Sequence, residues 1–247
     1  MREWFEDESF WREVYPYTFD DERFAAADEQ VRKIVRLTGV RRGAVLDLCC
    51  GPGRHTVVLA RRGFRVTGVD RTRFLLNKAR RRARSARAPV EFVRADMRDF
   101  VRPDAYNLVL SMFTSFGYFD DKEDDRLVLR NIFTSLKPGG RCLIDVMGKE
   151  RLAAIMRSTG STRYPDGALL IQTHEIFDDW TRIRNEWILL KGNRVRRFKF
   201  HHTIYSGQEL RDLLLQSGFG EAKLYGDLDG QPYGPDAPRL IAVARKG

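Results

Sequence analysis

From Ala44 to Met147, short apolar runs of strand length alternate with stretches of helical periodicity, and this rhythm constrains the fold more than any other feature. Such alternation builds a parallel sheet with helices on its faces, because two parallel strands need a long crossover. The spacing predicts strands over Ala44–Leu48, Arg65–Val69, Val90–Arg94, Tyr106–Ser111 and Arg141–Met147. Helices are expected near Arg54–Arg62, Phe74–Arg84 and Lys122–Leu136, the last stopped by Lys137-Pro138-Gly139-Gly140. After a short helix at Lys149–Arg157 the period switches to two. Ala168–Phe177, Thr181–Leu190 and Val195–Tyr205 read as strands of a small antiparallel insertion at about 160–205, with Gly192-Asn193 as a hairpin turn. A helix over Glu209–Gln216 and strands near Phe219–Tyr225 and Leu240–Ala244 follow. Residues 1–40 read differently: an aromatic-rich arm (Trp4 to Phe24) leads into a helix around Asp28–Leu37. They are expected to cap a domain spanning 41–247.

Composition removes several classes. At 247 residues the chain can bury a sizeable core, and 43% hydrophobic with 32% charged residues excludes a fibrous or wholly disordered chain. No run approaches the ~18 uncharged apolar residues of a membrane span, and the acidic start Met1–Glu8 is no secretory signal. Cys49, Cys50 and Cys142 form neither a disulfide framework nor a zinc site. His55, His174, His201 and His202 show no ligand spacing, so no metal is expected. A cytoplasmic protein with no membrane partner is the expectation. The net charge of +10 is uneven, −4 over residues 1–40 and +12 over 41–102. A nucleic-acid binder uses such a stretch against phosphates. However, Arg80, Arg81, Arg82, Arg84 and Arg87 share one expected helix, whose solvated face accounts for much of it.

The chemistry concentrates in Val45-Leu46-Asp47-Leu48-Cys49-Cys50-Gly51-Pro52-Gly53-Arg54-His55. A buried strand runs into a tight glycine turn that opens a helix, so backbone N–H groups and a positive dipole end face any ligand. A dinucleotide fingerprint wants Gly or Ala three residues after Gly53, where Thr56 stands, and the Gly-Lys-Ser/Thr of a P-loop is absent. Asp47, four residues before the first glycine, suits a cationic ligand better than a pyrophosphate. Cys49 and Cys50 read as small packing residues rather than nucleophiles.

Asp47-x-x-x-Gly51-x-Gly53 resembles the first motif of class I S-adenosylmethionine-dependent methyltransferases of the small-molecule type. The likeness continues through Val66-Thr67-Gly68-Val69-Asp70, Val93-Arg94-Ala95-Asp96-Met97, Met112–Phe119 and Leu136-Lys137-Pro138-Gly139-Gly140-Arg141, covering roughly residues 40–147 and more loosely 206–247. A lone glycine turn, or a lone acid at a strand end, is often only a connection or a helix cap. Their recurrence at four successive strand ends is not, because ligands of open α/β sheets bind at those ends.

The resemblance implies a Rossmann-like α/β fold with a mainly parallel seven-stranded sheet, its last strand antiparallel, and S-adenosylmethionine as cofactor with S-adenosylhomocysteine as product. It implies cofactor contacts from Asp47, Cys49, Gly51, Gly53, Asp70, Arg71, Asp96, Met97 and Met112: the methionyl end on Asp47, Gly51 and Gly53, the ribose on Asp70, the adenine on Asp96 and Met97. Phe113, Phe116, Tyr118, Tyr17, Tyr205 and Tyr233 are candidates for the acceptor side. The expected reaction is methyl transfer to nitrogen or oxygen of a small molecule; no residue stands out as catalytic base, and the oligomeric state stays open. Serine and threonine follow the fourth strand where enzymes acting on base amines carry Asn/Asp-Pro-Pro-aromatic, which weighs against a nucleic-acid acceptor. Three alternatives stand beside this reading: an RNA methyltransferase using the basic segment, an NAD(P)-dependent oxidoreductase, and a catalytically silent cofactor-binding protein.

Overall fold

All five residues of Ala44–Leu48 are buried, as an unbroken apolar run requires of a strand covered on both faces. The computed structural model describes residues 3–247. After one turn of 3-10 helix at Trp4–Glu6, the elements are α1 (Glu8–Thr18), α2 (Asp21–Ala25), α3 (Ala27–Thr38), β1 (Ala44–Leu48), α4 (Arg54–Arg61), β2 (Arg65–Asp70), α5 (Arg73–Ser85), β3 (Val90–Arg94), β4 (Tyr106–Ser111), α6 (Lys122–Ser135), β5 (Leu136–Val146), α7 (Lys149–Ile155), β6 (Thr159–Arg163), β7 (Leu169–Phe177), β8 (Arg182–Lys191), β9 (Arg194–Thr203), α8 (Gly207–Gln216), β10 (Glu221–Tyr225) and β11 (Leu240–Arg245).

Seven strands form one sheet in the order β10-β11-β5-β4-β1-β2-β3. β1 pairs in parallel with β2 and β4, β2 with β3, and β4 with β5. β11 is antiparallel to β5 and to β10, so it alone runs against the rest. The sheet is the mainly parallel one expected, with the last strand reversed. Successive side chains of β1 feed opposite cores. Leu46 and Leu48 join Phe116, Ile132 and Leu136 on one face, while Val45 joins Leu59, Leu108 and Leu110 on the other. That split is the period of two expressed in packing. The chain winds outward from β1 in both directions, which opens a crevice at the carboxyl ends of β1 and β4.

The structure departs from the sequence expectations in three places. The insertion has four antiparallel strands, β6-β7-β8-β9, rather than three. β6 is Thr-Gly-Ser-Thr-Arg and wholly exposed; it is held by backbone pairing to β7, so no apolar alternation betrays it. The aromatic arm contains two helices. α1 carries Pro16 in its interior, which obscures a helical pattern, yet Asp7 caps it by accepting from the Ser9 N–H at 2.8 Å. Its Phe10 and Val14 pack against Phe198 of the second sheet. Finally, β5 begins at Leu136, ahead of the expected Arg141, and tolerates the Pro138-Gly139-Gly140 turn through a register shift against β4. No described helix is long and apolar enough to cross a membrane.

α8 starts with a reciprocal cap. The Glu209 N–H donates to the Ser206 hydroxyl at 3.2 Å, and the Ser206 N–H donates to the Glu209 carboxylate at 2.7 Å. The helix then buries Leu210, Leu213 and Leu214. Ser206→Ala is expected to lower stability by about 1 kcal/mol, the usual worth of an N-cap. Urea unfolding would show the loss, and an unmoved midpoint would mean that the cap contributes nothing.

Candidate functional site

Loops after β1, β2, β3 and β4, roofed by the Phe5–Arg23 segment, enclose a cavity of about 410 Å³, within the ~300–1,000 Å³ range of small-molecule sites. Asp47, Cys49, Gly51, Asp70, Arg71, Asp96, Met97 and Met112 all line it. Gly53 does not. It sits behind the wall at φ 79°, and a Cβ there would come within 3.0 Å of the Ala79 Cβ, so close packing of α4 on α5 requires glycine.

The turn after β1 is built on left-handed backbone. Cys49 lies at φ 60° and Gly51 at φ 54°, an unfavourable region for a side-chain-bearing residue and one that is retained where structure holds it in place. The hold comes from β2. Asp70, 8% exposed, accepts the Gly51 N–H through one oxygen and the Thr72 N–H through the other, each at 2.8 Å. Burial raises its pKa, and those two N–H groups pull it part of the way back. A carboxylate offers about four acceptor positions, so two remain for a ligand. Asp47 is 2% exposed and takes the Thr56 hydroxyl at 2.5 Å. Burial pushes its pKa up to about 6, against the pull of that hydroxyl and of the Arg54 charge.

Asp96 is engaged differently. It accepts the Arg98 backbone N–H at 2.9 Å, Arg98 Nε at 3.1 Å, Arg98 Nη2 at 2.9 Å, and Arg71 Nη1. Four donors occupy its four acceptor positions. Burial would raise its pKa, but Arg98 and Arg71 outweigh burial and hold it below the ordinary carboxylate value. The same arginines tie down the roof, since Arg98 also binds Glu3 and Asp124, and Arg71 binds Glu6. With both arginines in place, the Asp96 side chain has no lone pair left for an adenine amino group.

On the other side of the cavity, the turn after β4 places Phe113 and Thr114 in left-handed conformations, φ 57° and 59°. Asp145, at the end of β5, holds this turn. Its side chain accepts the Phe113 N–H at 3.1 Å, and its carbonyl accepts the Thr114 N–H at 2.8 Å. Arg239, from the loop before β11, completes the brace by donating to the Asp145 carboxylate at 2.6 Å and the Thr114 hydroxyl at 2.9 Å.

Of the six acceptor-side candidates, only Phe113 and Tyr118 line the cavity. Phe116 is core, 1% exposed. The other three spend their hydroxyls elsewhere: Tyr17 on Asp166 at 3.1 Å, Tyr205 on Asp125 at 2.6 Å, and Tyr233 on Glu150 at 2.6 Å. Each phenol found a carboxylate outside the cavity, a pairing that no local pattern reveals. Conversely, Arg54, His55 and Arg239 line the cavity without having been singled out. Arg54 carried a readable signal, because a cation in the first turn of a helix opposes the macrodipole.

Comparison with known proteins agrees with this layout. A family model described as a methyltransferase domain matches residues 45–140. The protein YqeM of Bacillus subtilis (strain 168) is 26% identical over 233 residues, covering 92% of this chain and 94% of that protein. The glycine/sarcosine N-methyltransferase of Aphanothece halophytica is 26% identical over 227 residues, covering 91% and 83%. Among solved structures, the CcbJ methyltransferase from Streptomyces caelestis superposes with a TM-score of 0.77 at 19% identity, over 90% of this chain and 95% of that one. The order of strands, the glycine turn after β1 and the acids closing β1 and β2 agree with these likenesses, and the chain belongs to the class I S-adenosylmethionine-dependent methyltransferases.

Proposed function

We propose that the protein moves a methyl group from S-adenosylmethionine to a nitrogen or oxygen of a small-molecule acceptor. When bound, the cofactor supplies an electrophilic methyl on a sulfonium centre. The residues present fit it. Asp70 keeps two acceptor positions for the two ribose hydroxyls, and this is the observation that carries the reading. Asp47 suits the ammonium of the methionyl end beside the Cys49–Gly51 turn. The adenine is assigned to the Met97 backbone, with Asp96 acting indirectly by fixing Arg71 and Arg98.

On the acceptor side, Met112, Phe113, Tyr118 and Trp11 offer a largely apolar wall. Such a wall favours an unprotonated amine, since burial disfavours the charged form, and alignment alone can supply much of the acceleration. A relative named for glycine and sarcosine supports nitrogen as the receiving atom. Arg80, Arg81, Arg84 and Arg87 of α5 are absent from the cavity wall, which supports a small acceptor over RNA. Cys49, Cys50 and Cys142 are free thiols, in keeping with the cytoplasm as the place of action.

Titration calorimetry with S-adenosylhomocysteine, and with NADH in parallel, tests the reading. Micromolar binding of the first and none of the second is expected. Binding of NADH alone would replace it with an oxidoreductase reading. Acceptor affinity that collapses with salt would point instead to RNA.

The same titration has a pH signature. A carboxyl whose folded pKa is raised to about 6 binds protons more tightly in the folded state than in the unfolded state. The ligand-free protein therefore loses stability as pH rises from about 4 to 6. A ligand ammonium needs the ionised Asp47. S-adenosylhomocysteine affinity is thus expected to drop by up to about tenfold per pH unit below 6, and Asp47→Asn to flatten that dependence. Equal slopes in the two proteins would remove Asp47 from the ligand's ammonium.

A further inference from the structure

Four arginines line the cavity: Arg23, Arg54, Arg71 and Arg239. Three are committed to protein partners. Arg23 donates to the Thr18 carbonyl at 2.5 Å and lies 3.7 Å from Asp20. Arg71 binds Asp96 and Glu6, and Arg239 binds Asp145. Arg54 is different. It is 8% exposed, yet none of its five N–H donors meets an acceptor among the described residues. Its one close contact is with a ring face, the guanidinium carbon standing 3.5 Å from the Phe113 centroid. Stacking occupies the flat of the guanidinium and leaves its edge donors for something else.

A buried cation without a hydrogen-bond partner is costly, so natural sites keep one where a ligand completes it. Asp47 is the nearest clue to that ligand. It is buried on the same cavity wall, it feels the Arg54 charge, and yet the two form no ion pair among the described residues. Opposite buried charges held apart on one wall match a ligand that carries both charges on adjacent atoms. We propose that Arg54 is a carboxylate seat and that, with Asp47, it holds the zwitterionic end of an α-amino acid.

This rests on the cofactor reading above. The amino acid has two possible sources with the same chemistry, the methionyl end of the cofactor and an amino-acid acceptor. Phe113 orients the guanidinium in either case, and the Asp145–Arg239 brace holds Phe113.

The test compares wild type, Arg54→Gln and Arg54→Lys by calorimetry with three probes. These are S-adenosylhomocysteine, 5′-methylthioadenosine (which lacks the amino-acid end), and glycine titrated into the S-adenosylhomocysteine-loaded protein. If the seat serves the cofactor, Arg54→Gln weakens S-adenosylhomocysteine by about 10- to 100-fold, as loss of a charge-assisted bond does, and leaves 5′-methylthioadenosine unchanged. Arg54→Lys then falls between, because an ammonium keeps the charge and loses the fork. If the seat serves an acceptor, S-adenosylhomocysteine is unchanged and glycine binding disappears. The proposal is overturned if both adenosine probes weaken together, which marks a purely structural role, or if no probe distinguishes the variants from wild type. A wild type that binds neither adenosine compound would overturn the cofactor reading itself, and this seat with it.

Discussion

Asp70→Ala weakens S-adenosylhomocysteine binding by roughly 10- to 150-fold, equivalent to about 1.5–3 kcal/mol for charge-assisted hydrogen bonds. The expectation has two physical parts. The variant removes the acceptor positions assigned to the ribose hydroxyls. It also frees the Gly51 and Thr72 N–H groups that Asp70 now engages at 2.8 Å, so the turn that carries Cys49 at φ 60° loses its clamp. Asp70→Asn separates the parts, since an amide oxygen still accepts one N–H while the charge is gone. Calorimetry on both variants, with a melting curve to confirm folding, gives the answer. An unchanged dissociation constant in folded Asp70→Ala would remove this residue from the ligand site. Asp96→Ala is expected to weaken binding less, because its four acceptor positions already serve Arg71 and Arg98.

Arg239→Ala is expected to destabilise the protein by about 3 kcal/mol, the low end for breaking a buried pair by removing one partner. Asp145 is 3% exposed, so the variant leaves a buried carboxylate with the Phe113 N–H as the side chain's remaining partner. For a chain of this size that corresponds to a melting point lower by roughly 6–12 °C. Arg239 also grips the Thr114 hydroxyl, so the left-handed turn at Phe113–Thr114 should relax, and ligand binding should weaken beyond what the melting point explains. Arg239→Lys would restore charge but only one bond at a time, recovering part of the stability. A loss under 1 kcal/mol by chemical denaturation would show that the pair is solvated enough to be dispensable.

How legible the protein was depends on the range of the interaction concerned. The central strands were readable because burial on both faces demands unbroken apolar runs such as Ala44–Leu48, and such runs are local. The glycine turn and the acids at 47, 70 and 96 were readable because strand ends must meet at one edge of a parallel sheet. β6 was not, since Thr159–Arg163 is exposed and held only by backbone bonds to β7, which leave no trace in side-chain chemistry. α1 was hidden by Pro16 and by aromatic residues whose partners lie in the second sheet.

Side-chain pairing across the fold was decided by tertiary structure alone. The sequence by itself determined which elements form, which edge of the sheet carries the chemistry and which residue types stand there, since local periodicity and chain topology suffice for those. It did not determine who pairs with whom. Asp96 is saturated by two arginines, Tyr17, Tyr205 and Tyr233 are drawn to carboxylates outside the cavity, and Arg54 is left buried without an acceptor. Those outcomes follow from distances between residues far apart in the chain. Coulomb and hydrogen-bond energies change steeply over a few ångströms, a scale on which residue spacing along the chain carries no information.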